Sequence, residues 1–200
     1  MSTRLPVAFC WTRFGTEAGE RIEEILERKE AERLACDGVF FWGIGNSVAP
    51  SIAELLRQTD RPEVLFSPMR SRPRQVDVKP SRVVCWTAGE TLSGRFELPP
   101  AARVTSRRET ASRRPHYALV CSSAQPLAFG DFGQLDFYSL RNLIGGTRLG
   151  ASQVAAVVKR LAQADLGGPK YPVALRAVLH EPYFLRLREF EVIADTGAGL

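Results

Sequence analysis

This chain is poor in the residues that most often announce chemistry. Its two histidines, His116 and His180, have no ligand spacing around either, which removes the common zinc signatures. Its four cysteines, Cys10, Cys36, Cys85 and Cys121, are widely separated and form no C-x-x-C pair. Three of them sit inside apolar runs, where a free thiol acts as a small hydrophobe. No apolar run reaches the ~20 residues of a spanning helix, and the first residues lack a signal-peptide core. These absences predict a soluble, cytoplasmic protein with reduced thiols.

Nucleotide-binding signatures are missing too. Gly43-x-Gly45 lacks the third glycine of a dinucleotide fingerprint and has Pro50 close behind it. Gly145-Gly146-Thr147 is not followed by Gly-Lys-Ser/Thr, so it is no P-loop. No motif calls for a metal or an organic cofactor.

The chain does contain enough apolar residues, 44%, for a substantial core, which places it among globular proteins. Short apolar runs predict strands at Pro6–Thr12, Val39–Ile44, Val64–Phe66, Arg82–Thr87, Gly94–Leu98, Tyr117–Ser122, Tyr171–Val178 and Tyr183–Val192. His180-Glu181-Pro182 reads as the turn of a hairpin between the last two. Helical spacing predicts helices over Glu17–Ala35, Pro50–Gln58 and Ser152–Ala164. Thr16 is placed to cap the first, and Ala18, Ile22, Ile25, Leu26 and Leu34 would form its inner face. Its glutamates would form a solvated outer face. Ser71–Ser81 and Arg103–Pro115 read as polar loops, the second mobile and basic; Phe129–Tyr138 fits no template. Inserted rather than alternating helices predict an α+β fold. Its sheet would be curved and mostly antiparallel, or a pseudo-barrel, with peripheral helices.

Two strand ends attract attention. Phe40-Phe41-Trp42-Gly43-Ile44-Gly45-Asn46-Ser47 breaks from an aromatic strand into a glycine turn, and Val64-Leu65-Phe66-Ser67-Pro68-Met69-Arg70-Ser71 ends in polar residues. Together with Phe9-Cys10-Trp11-Thr12, this succession resembles the EVE domain of the PUA-like superfamily. There an aromatic strand, a W-G-V-R-N type segment, a short helix and an apolar strand follow in order. The resemblance covers the first half of the chain. Gly45 stands where arginine is usual, and Pro68-Met69 replaces the usual histidine region. It implies a single EVE-like domain over residues 1–195, extended from about Leu98 onward, with a tail at 196–200. It also implies binding of RNA, or of DNA carrying modified bases, without catalysis.

On that reading the base pocket comprises Trp11, Trp42, Gly43, Gly45, Asn46, Ser67 and Trp86. The tryptophans would stack on a flipped base while Asn46 and Ser67 read its edge, since an amide and a hydroxyl both donate and accept. Each tryptophan would equally serve a core, and Asn46 and Ser67 would equally serve turns. Phosphates would meet Arg70, Arg72, Arg74, Lys79, Arg107, Arg108, Arg113 and Arg114. Arginine suits bidentate phosphate contact better than lysine. The formal net charge of +5 agrees with an anionic partner. Two alternatives remain open: a nuclease-like enzyme using Asp131 and Asp136, and a subunit that meets a protein partner through its aromatic second half.

Overall fold

Residues 4–15, 20–69, 83–163 and 165–193 are described in the computed structural model. The expected phosphate ligands Arg70, Arg72, Arg74 and Lys79 lie outside these residues, as do the Ser71–Ser81 loop, the tail, and Thr16 to Ala18.

Among the described residues, ten strands join one large mixed sheet: β1 (Ala8–Phe14), β2 (Val39–Ile44), β3 (Glu63–Pro68), β4 (Val83–Thr91), β5 (Gly94–Glu97), β6 (Thr105–Arg107), β7 (His116–Ser122), β9 (Leu140–Asn142), β10 (Ala155–Arg160) and β12 (Leu175–Ile193). β8 (Gln134–Asp136) and β11 (Lys170–Pro172) pair separately. The main path runs β2-β7-β12-β3-β1-β10-β9, and β4 leaves it from β12, carrying β5 and β6. Of these pairings, β1 with β3 is the parallel one. The strands ending near Trp11, Asn46 and Ser67 therefore share one sheet, as expected. The sheet is not closed, so the pseudo-barrel alternative is corrected to an open sheet among the described residues. Three described helices accompany it: α1 (Ile22–Ala35), α2 (Ala49–Gln58) and the single turn α3 (Arg108–Ala111).

The strand expected over Tyr171–Val178 is divided between β11, in the two-stranded sheet, and the start of β12, with Val173 and Ala174 between them. Three further segments differ from the sequence expectation, each for a physical reason. Ser152–Ala164 is not a helix but contains strand β10, seated between β1 and β9. Ala155-Ala156-Val157-Val158 is buried on both faces, and a short, doubly buried apolar run carries no period that separates strand from helix. The expected hairpin at His180-Glu181-Pro182 is instead an irregularity within one long strand. β12 pairs with β7 on both sides of it, shifting register between Leu179 and Phe184. The basic loop at Arg103–Pro115 is built structure: β6 pairs with β4 and runs straight into α3.

Alternation along the strands divides the core into three clusters. On β1, Cys10 and Phe14 face the cluster beneath α1 and α2, whereas Phe9 and Trp11 face a second cluster with Leu135, Phe137 and Val173. On β2, Phe40, Trp42 and Ile44 join the first cluster while Phe41 joins a third with Val84, Trp86 and Val104. Cys10, Cys85 and Cys121 are buried free thiols, as expected; burial alone pushes the Cys10 thiol up to about 12. No helix among the described residues is long and apolar enough to cross a membrane.

Candidate functional site

The site is built on the open edge of β2. Among the described residues this strand pairs with β7 alone, so every second residue turns its backbone N–H and C=O away from the sheet. Phe41 is one such residue, and two side chains of α1 occupy its groups. Glu32 Oε1 accepts the Phe41 N–H at 2.6 Å, and Lys29 Nζ donates to the Phe41 carbonyl. The same pair binds the backbone of Arg103: its N–H donates to Glu32 Oε2 at 3.0 Å, and its carbonyl accepts from Lys29 at 2.8 Å. Lys29 and Glu32 are themselves 2.7 Å apart, and both are buried. Burial pushes the Lys29 ammonium below its usual value, against the pull of Glu32. An ion pair thus stands where another strand would and ties β2 to residue 103.

Two residues further on, Gly43 is in the same phase as Phe41, so its N–H and C=O face the same edge. The Lys29–Glu32 pair does not reach it. Residues of α1, β2 and the Arg103–Arg107 segment border a cleft of about 300 Å3 there. Trp42, Ile44, Phe14 and Val104 give the cleft apolar walls. A Cβ on Gly43 would press against Val104 Cγ1 at 3.1 Å, whereas a Cβ on Gly45 would meet nothing within 4 Å. A side chain at Gly43 would therefore need Val104 to shift by a few tenths of an ångström, while Gly45 simply leaves space.

The charge lining the cleft is one-sided. Arg13, Arg28, Lys29, Arg103, Arg107 and Arg114 border it, and no Asp or Glu among the described residues does. Arg28 is committed to Glu20, at 2.8 and 2.7 Å, and to the Arg103 carbonyl. Arg103 donates to the carbonyls of Pro100 and Ala102. Arg107 and Arg114 form no ion pair among the described residues, and neither do Arg108 and Arg113. Arg33, Arg57, Arg95, Arg176 and Arg188 are all paired elsewhere. Arg61, Arg141, Arg148, Lys159 and Arg160 also form no ion pair among the described residues and lie away from the cleft, so what marks this face is the absence of a carboxylate from its lining. A shallower concavity of about 310 Å3 adjoins the cleft and shares Arg114, His116 and Leu187 with it. His116 lies against Trp86, ring centroids 5.2 Å apart, with Nδ1 3.0 Å from the Arg114 carbonyl. Burial lowers the His116 imidazole below its usual value of 6.5.

The expected pocket residues are only partly brought together. Trp42, Gly43 and Gly45 line the cleft, with Arg107 and Arg114 at its border. Trp42 is largely core, edge-on to Phe66 at 4.8 Å and to Phe14 at 5.7 Å. Trp11 is fully buried in the second cluster, and its Nε1–H donates to Ser67 Oγ at 3.1 Å. Both side chains are fully buried, so neither is open to a base. Trp86 belongs to the third cluster and donates to Ser106 Oγ at 3.2 Å. The tryptophans thus sit in three separate clusters and form no cage. Asn46 donates from Nδ2 to the Ala155 carbonyl at 3.3 Å, fixing the turn to β10 rather than facing the cleft. Arg108 begins α3 and Arg113 follows its end, both outside the cleft, Arg113 on the adjoining concavity.

The carboxylates considered for an enzyme are committed to structure. Asp136 accepts from the N–H groups of Tyr138 (2.7 Å), Leu166 (2.7 Å) and Gly168 (3.1 Å) and from Lys170 Nζ at 3.1 Å. Asp131 accepts from the Gly133 N–H two residues on. They do not form the expected pair.

Sequence reasoning missed Lys29, Glu32, Arg103 and His116. The first two were legible: Lys29 and Glu32 lie four and seven residues after Ile25, on the same helical stripe. No family model, no curated protein and no solved structure matches this chain.

Proposed function

We propose that this protein binds nucleic acid without catalysing a reaction on it, taking one unpaired base into the β2-edge cleft and seating the flanking phosphates on the arginines around it. The observation that carries this reading is the pairing of an apolar cleft with a border of arginines and, among the described residues, no carboxylate. At about 300 Å3 the cleft lies at the small end of ligand pockets, the size range of a single nucleoside. A duplex would offer phosphates to the arginines but nothing to the apolar walls; an extruded base satisfies both. The exposed backbone N–H and C=O of Gly43 supply a donor and an acceptor for a base edge, the role expected of Asn46 and Ser67. The order β1, β2, α2, β3 also agrees with the EVE resemblance, so membership of the PUA-like superfamily is part of this proposal.

The test is an oligonucleotide titration over a range of salt concentrations, using the parent and a variant with Arg107, Arg108 and Arg114 all changed to Gln. Phosphate contacts position a strand without specifying it. The variant should bind all sequences more weakly, and the log–log salt slope should flatten by about 0.7 for each phosphate of a single strand that is no longer neutralised. Identical binding by both proteins at every salt concentration would leave these arginines as a solubilising surface.

A further inference from the structure

The adjoining concavity is not a second, unrelated hollow. It meets the cleft at Arg114 and His116, and it is bordered by the exposed Arg113 and Arg186 and by the ring of Phe190. Neither Arg113 nor Arg186 has a carboxylate partner among the described residues; the ion pair nearby joins Arg188 to Glu90. Its aromatic wall is braced. His116 lies over Trp86 with rings inclined at 31°, and Phe190 meets Trp86 edge-on at 5.0 Å. Rings held this way offer a stacking surface whose order is already established before a ligand arrives.

We propose that this concavity holds a second nucleotide of the same strand, next to the one in the cleft, so that the smallest ligand using the whole site is a dinucleotide. This rests on the nucleic-acid reading above. The geometry favours a covalently continuous ligand because the two hollows share one exposed arginine. A phosphodiester linking adjacent nucleotides would lie at Arg114, with one base against Trp42 and Gly43 and the other against His116 and Phe190. Arg113 and Arg186 would then meet the phosphate beyond. Charge complementarity and continuity with the cleft both favour a single strand over a separate anion.

The experiment compares a mononucleotide, the corresponding dinucleotide and a longer single strand against the parent and an Arg113→Gln/Arg186→Gln variant. Both residues are exposed, and a thermal melt confirms that the variant is folded. One further stacked base with its phosphate should tighten binding by about tenfold or more from mono- to dinucleotide. The double variant should lose that gain while binding the mononucleotide as the parent does. Equal affinity of the parent for mono- and dinucleotide, with mononucleotide binding still dependent on Arg107, would overturn the second subsite and leave the cleft reading intact. Failure of every ligand to bind would overturn both.

Discussion

Lys29 and Glu32, 2.7 Å apart and shut away from water, act on the backbone of Phe41 as a neighbouring strand would. An exposed sheet edge is a hazard, and covering it is a common remedy. Here the cover stops short of Gly43, and the cleft begins where it stops.

Removing either partner should be severe. Lys29→Met leaves a buried carboxylate unpaired, and Glu32→Gln leaves a buried ammonium, each costing about 3–5 kcal/mol. Buried ion pairs can often be replaced together by apolar residues at little cost. This one should not be, because the backbone groups of Phe41 and Arg103 would lose their partners as well. Denaturant melts of both single variants and the Lys29→Met/Glu32→Leu variant test this. A double variant as stable as the parent would show that the pair does not hold the edge.

The sequence conveyed strands better than it conveyed which face each residue takes. β2 was legible to the residue because an aromatic run ending in glycines has one reading. β10 was not, because Ala155 to Val158 are buried on both faces and their spacing also satisfies a helix. α1 showed the same limit at its surface. Leu34, expected inside, is 67% exposed, while Lys29 and Glu32 take the inner stripe. Polarity predicts burial only until a polar side chain finds a partner. The site was half legible for a related reason. Trp42, Gly43 and Gly45 were found because a strand end is local, whereas Ser67 was lost to Trp11, a partner 56 residues away.

Asp136 predicts acid behaviour away from the cleft. Burial pushes its carboxyl up, but the Leu166 N–H, the Lys170 ammonium and the Gly168 and Tyr138 N–H groups outweigh that and hold it well below the ordinary 3.8. A depressed carboxylate contributes stability above its unfolded-state value and loses it as pH falls through the folded-state one. Protection factors against hydrogen exchange, corrected for the intrinsic rate, should therefore fall across residues 134–139 and 165–170 below about pH 4 in the parent. Asp136→Asn should be weaker at neutral pH and nearly flat across that window. A parent that shows no acid loosening there contradicts the role given to Asp136.

His116 predicts how binding depends on pH. Burial keeps its imidazole neutral near pH 7, and a phosphate beside it would favour the protonated form. Affinity for a single strand should therefore rise as pH falls from about 7 to 5, with proton uptake on binding. His116→Gln should remove that slope while keeping most of the affinity at neutral pH. A slope that survives in the variant places the titrating group elsewhere.

The cleft itself is tested most directly at Gly45. A Cβ there meets no atom within 4 Å and the backbone is not left-handed, so Gly45→Leu adds bulk at the cleft lining without a clash at its Cβ. Its melting temperature should match or exceed that of the parent. Its affinity for a single-stranded oligonucleotide, measured at one fixed salt concentration, should fall by about tenfold or more, the loss expected when a stacked base is displaced. A folded Gly45→Leu protein that binds single strands as tightly as the parent would contradict the placement of a base at the β2 edge.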